Sequence, residues 1–127
     1  MNQDDKKVGN LKKIAIHLEA GIRPEAMDLT REPILYEFVY GVGSHGLSPF
    51  ELELAERKER EEWLTPVRTS ELANFFCHHL IPQLEIPESV GAFYLRTLIL
   101  RVSAANPREI IKAMAEAAGC GSGCYGH

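Results

Sequence analysis

Three side chains at the end of this sequence could hold a metal ion: Cys120, Cys124 and His127 in CGSGCYGH. Thiolate and imidazole are the ligands that zinc, nickel and copper favour, and the intervening glycines let a backbone fold tightly around an ion. Three ligands are one short of a closed tetrahedral site. The fourth could come from Cys77, His78 or His79, from another chain, or from water. The plain alternative is a tail whose cysteines stay free or oxidise together. Cys77-His78-His79 would also suit a thiol nucleophile with a base, but the sequence offers neither an orienting acid nor an oxyanion site for it. A third set is apolar: Tyr36, Phe38, Phe50, Trp63 and Phe75 could line a pocket, and each taken singly reads as core. Asp28 reads as an acid that caps a turn.

These residues need elements to position them. Ile14, Ile16 and Leu18 alternate with Ala15, His17 and Glu19, the period-2 pattern of a half-buried strand. Residues 33–40 (PILYEFVY) form a second strand, ended by the glycines at 41, 43 and 46. Ser48-Pro49-Phe50-Glu51 opens a helix: Ser48 caps, Pro49 suits the first turn and Glu51 completes a capping box. The charged run 56–62 is a solvated turn, and Trp63 to Val67 returns as a strand in which Pro66 marks an edge or a bulge. A short helical turn at 70–76, an irregular loop at 78–90 and a strand at 93–102 follow. Asn106-Pro107-Arg108-Glu109 caps a last helix over 106–118, with Ile110, Ile111, Met114 and Ala118 on its apolar side and Gly119 as its stop. Residues 1–11 are expected to be a flexible N-terminus, and 119–127 a tail too rich in glycine for regular structure. The class is α+β: an antiparallel sheet carrying one short helix, with a C-terminal helix added.

Composition narrows the partners. The chain has 127 residues, 45% of them apolar, and a net charge of −4 from 14 basic and 18 acidic side chains. That suits one modest core and offers no basic stripe for nucleic acid. No stretch approaches the roughly 18 apolar residues that cross a bilayer, and the N-terminus lacks the apolar run of a signal peptide. An odd count of three cysteines fits a reducing compartment better than a disulfide scaffold. The expectation is a cytoplasmic protein binding neither nucleic acid nor membrane.

The segment from Asp28 to Val67 resembles the central half of the FKBP-type peptidyl-prolyl cis-trans isomerases: an Asp, then YEFVYGVG, a capped helix bearing an aromatic, and a charged turn into a strand. The likeness extends over roughly residues 12–105, with no room for the insert of the SlyD-type members. It implies a curved sheet wrapping the short helix, with a hydrophobic hollow between them that receives a proline ring. A dry pocket of this kind would favour the twisted, less conjugated amide over a barrier of roughly 18–20 kcal/mol. Proline-containing or unfolded segments would be its partners, in isomerase (rotamase) or chaperone roles, with no cofactor required. Zinc or nickel at the tail would echo the metal-binding ends of the SlyD-type proteins.

Residue by residue, the resemblance assigns catalytic positions to Asp28, Tyr36 and Phe75. It assigns the substrate-binding lining to Leu18, Met27, Phe38, Leu47, Phe50 and Leu95. Ile86-Pro87 matches the family's later loop. The departures are specific. Leu18 stands where the family has a first-strand tyrosine (His17, if the alignment slips by one), Met27 replaces an aromatic, and Phe75 lacks a tyrosine hydroxyl. Glu56 and Arg60 occupy positions where the family has glycines. A pocket greasy but short of hydroxyls leaves two readings open, an isomerase or a catalytically weak binding module.

Overall fold

The computed structural model describes residues 7–43, 46–77, 79, 81 and 83–124, the last seven of these as backbone only. Its elements run β1 (Lys12–Gly21), β2 (Ile34–Val39), α1 (Pro49–Leu54), β3 (Glu62–Arg68), a 3-10 turn (Thr69–Glu71), α2 (Leu72–Phe76), β4 (Ala92–Ala104) and α3 (Pro107–Cys124). The four strands form one antiparallel sheet in the order β2-β1-β4-β3. The sheet is open and not strongly curled. Pro66 lies in β3, an edge strand, where a missing N–H costs no ladder bond.

Period-2 burial decides which face is core. Ile14, Ile16 and Leu18 of β1 are fully buried and pair with Phe38, Tyr36 and Ile34 of β2. On the other side they pair with Val102, Ile99 and Thr97 of β4, with a register shift between Ala15 and Ile16 that passes over Leu100. Phe50 and Leu54 of α1 close this face, at 1% and 0% exposure. Removing each such side chain from water contributes about 1.5–3 kcal/mol, which outweighs the weak propensity of a six-residue helix.

Three expectations change. Residues 7–11 are docked rather than frayed: Val8 is buried and its N–H donates to Arg57 O at 2.7 Å, while Leu11 N–H donates to Tyr40 O at 2.8 Å. The strand edges beside them offer backbone partners that a polar sequence does not advertise. Helix α3 continues through Gly119 to Cys124. Glycine weakens a helix interior by about 1 kcal/mol but does not forbid it. The side of α3 that packs is also turned. Ile110, Ala113 and Ala117 meet Val39 and Val42, whereas Ile111 and Met114 are exposed. Small alanines let the helix approach closely, and the Lys13–Glu109 ion pair at 2.7 Å fixes its start. The predicted capping box forms, with Glu109 N–H donating to Asn106 Oδ1 and Asn106 N–H donating to Glu109 Oε1. No helix among the described residues is long and apolar enough to cross a membrane.

Candidate functional site

Tyr36, Phe38, Phe50 and Phe75 are joined by ring contacts, with a residue of the loop after α2 against the first three. Trp63 carries the Arg57 guanidinium over its ring at 3.8 Å. Tyr36 and Phe38 stand two apart on β2, so both point to the core face and their rings stack at 5.2 Å. Phe50 rises from α1 against Phe38, Phe75 and Phe76, with centroids 5.6, 6.0 and 4.9 Å away. Cys77 ends α2 with φ 58 and ψ −114, a sharp reversal that turns the chain inward. His79 follows, tied by its N–H to Phe76 O at 3.1 Å. Its imidazole enters the hollow, 5% exposed for the whole residue. The ring stands edge-on to Tyr36 (5.7 Å), Phe38 (4.7 Å) and Phe50 (5.3 Å).

Both ring nitrogens face polar groups. Nδ1 lies 2.7 Å from the Tyr36 hydroxyl, and Nε2 lies 3.4 Å from Glu51 Oε2, long for a hydrogen bond but close for an ion pair. Burial, then the nearby Glu51 and Glu116 charges, raise the Tyr36 pKa. The phenol therefore keeps its proton and shares a hydrogen bond with Nδ1, whose direction follows the imidazole tautomer.

Glu51 is fully buried, and its capping box explains how. Glu51 N–H donates to Ser48 Oγ (3.2 Å), while Oε1 accepts from Ser48 N–H (3.1 Å) and from Ser48 Oγ (3.3 Å). Oε2 accepts from Gly41 N–H at 3.1 Å. Gly41 has φ +80, and a Cβ there would sit 2.6 Å from Asn10 Oδ1, so the turn that aims this N–H needs glycine. Burial pushes the carboxyl pKa up, but His79 and the Ser48 and Gly41 N–H groups outweigh it, and the net direction is downward. Tyr40 donates to Glu51 O at 2.8 Å, and its own pKa is pushed up to about 12 by burial and then by the Glu51 charge.

No protein-family model matches this chain, and no curated protein matches it.

The residues assigned from the sequence divide into groups. Tyr36, Phe38 and Phe75 are half-buried at the hollow, and Phe50 lies beneath them. Leu47 packs half-buried against the core. Leu18 and Leu95 are at 0% exposure, so they support the hollow and cannot touch a ligand in this conformation. Asp28 is exposed and accepts from Ile22 N–H at 3.3 Å, the loop-capping role; Met27 beside it is half-buried. This loop passes so close that a Cβ on Gly21 would lie 1.8 Å from Ala26 O. The sequence offers His79 only as a metal ligand or a base beside Cys77, and gives Glu51 only a capping role. The sequence did hold one signal, a capping-box acid next to an aromatic, but nothing in it brings His79 there.

Of the terminal ligands, the Cys120 and Cys124 side chains and all of His127 lie outside the described residues. Among the described residues no group of three or more His, Cys, Asp or Glu side chains is placed to hold a metal. Cys77 is disulfide-bonded. In that state it offers no thiolate to a metal or to nucleophilic chemistry.

Proposed function

We propose that this chain is an FKBP-like domain that binds proline-containing or unfolded peptide segments, and that His79 closes its aromatic hollow and holds prolyl isomerisation down. Three observations support the likeness. An antiparallel sheet carries a short helix on one face. Tyr36, Phe38, Phe50 and Phe75, the positions that the family gives to its pocket, follow one another in a continuous line of ring contacts. Glu56 and Arg60, standing where the family has glycines, both adopt positive φ, at 63° and 75°. A left-handed backbone is what a glycine would serve there, so the local path agrees although the residue types do not.

The observation that carries the reading is the imidazole seated among Tyr36, Phe38 and Phe50. A prolyl ring would need that same space, so binding requires the imidazole to leave it. Apparent affinity then falls by the fraction of molecules that are open. Catalysis suffers further, because binding energy goes to displacing His79 rather than to the twisted amide.

The test is a prolyl isomerase assay and a binding titration on one extended Phe-Pro peptide, with wild type beside His79→Ala. The wild-type rate is expected near the uncatalysed background. The variant is expected to bind the peptide at least tenfold more tightly. A strong wild-type rate would overturn the closure, and absence of peptide binding by either protein would end the reading.

A further inference from the structure

We propose that the sheet face turned away from α1 is a dimer surface, seated on the same face of a second copy about a two-fold axis that runs along β1. The proposal is independent of the peptide-binding reading, which concerns the opposite face. Side chains alternate along a strand, so with Ile14, Ile16 and Leu18 committed to the core, Ala15, His17 and Glu19 lie on the outer face. The register gives their neighbours. Leu35 of β2 and Leu98 of β4 flank His17, and Glu37 of β2 and Arg101 of β4 flank Ala15. Leu35 is 58% exposed, and Leu64 of β3, opposite Arg96, extends the apolar surface at 39%. Among the described residues, the contacts that seat α3 lie at the Val39 end of this face, where Lys13 pairs with Glu109. An apolar row left open on a sheet marks an interaction surface.

The charges choose the occupant. Glu37 and Arg101 are both exposed, stand one strand to either side of β1, and belong to no ion pair among the described residues. A two-fold axis along β1, lying between two facing sheets, sets β2 of one copy over β4 of the other. Glu37 then meets the partner's Arg101, and Arg101 meets the partner's Glu37. The same operation lays Leu35 against the partner's Leu98, and Leu98 against the partner's Leu35. One symmetry operation therefore satisfies both the charged row and the apolar row. Sheets stacked in this way lie about 10 Å apart with their strands nearly aligned. Glu19 falls near the axis and faces its own copy, and Arg96 at 3.4 Å offsets its charge.

The experiment is sedimentation velocity on the full chain over a series of concentrations, with wild type beside Glu37→Arg, Arg101→Glu, both changes together, and Leu35→Asp. Wild type is expected to pass from monomer to dimer as concentration rises. Each single charge reversal sets like charges together twice per dimer and should weaken association about tenfold. The double reversal should return it to within about threefold of wild type, because the exchanged charges attract again. Leu35→Asp should weaken association as well. The three replaced side chains are exposed, so the urea midpoints of the variants should match wild type. A wild-type chain that stays monomeric up to about 1 mM, where even a small interface would be populated, overturns the proposal. A dimer indifferent to Glu37→Arg and Leu35→Asp uses another surface and overturns it too. Single reversals that weaken the dimer without recovery in the double variant would rule out the two-fold pairing.

Discussion

The Tyr36 hydroxyl meets His79 Nδ1 at 2.7 Å across 43 residues of chain, joining β2 to the loop after α2. Tyr36→Phe keeps the ring stack with Phe38 and removes only the hydroxyl that meets the ring nitrogen. Such a loss costs about 1–3 kcal/mol. Urea unfolding of the variant should show that drop with an unchanged slope. A midpoint equal to wild type would mean that the latch contributes nothing.

Glu51 predicts how stability responds to acid. Its folded-state pKa is lowered, so the stabilisation it supplies is present above the unfolded value and is lost as pH falls through the folded one. Thermal melts should therefore fall as pH drops below the ordinary carboxylate value of about 4. In Glu51→Gln the acid-side slope should be shallower and the neutral-pH melting temperature lower, because the amide can accept from Gly41 and Ser48 but carries no charge for His79. Parallel curves for the two proteins would remove Glu51 from the acid response.

Glu56 and Arg60 each hold a left-handed backbone that costs a non-glycine residue about 1–2 kcal/mol. Glycine avoids that cost but loses about 0.5–1 kcal/mol through chain entropy. Glu56→Gly and Arg60→Gly should therefore each stabilise the fold by up to about 1 kcal/mol. The Lys7–Glu56 ion pair that the first change removes is solvent-exposed on the Glu56 side (83%) and worth little. Lower melting temperatures for both variants would contradict the backbone argument.

Phe50 is 1% exposed and packs against Phe38, Phe75, Phe76 and His79. Phe50→Ala should cost about 3–5 kcal/mol, so its loss of binding would report unfolding as much as the site. Half-buried Phe75 at the rim is the better probe. Phe75→Ala should weaken peptide binding with a smaller change in the urea midpoint, and a midpoint falling as far as that of Phe50→Ala would assign Phe75 to the core instead.

Local signals read well wherever the physics is local. Ser48 and Glu51 lie three apart, and the box they form needs only one turn of helix, so S-P-F-E announced it. The same holds for Asn106 and Glu109. The alternation in β1 gave its core face, because side chains on a strand have no other way to point. The packed side of helix α3 includes the expected Ile110 but not Ile111 or Met114, which outweigh alanines in hydrophobicity, because the close approach to Val39 and Val42 favours small residues.

By itself the sequence determined the α+β class and both capping boxes, and Pro66 limited β3 to an edge or a bulge. Only the tertiary structure decided what fills the hollow. Nothing in Cys77-His78-His79 marks which residue turns inward, because that depends on the left-handed φ at Cys77 and on the separation of distant elements. Glu51 shows the same division. Its role as a cap follows from spacing, but its burial beside His79 follows from where α1 lands on the sheet. Desolvation and ring contacts act through space, and adjacency in the chain does not encode them.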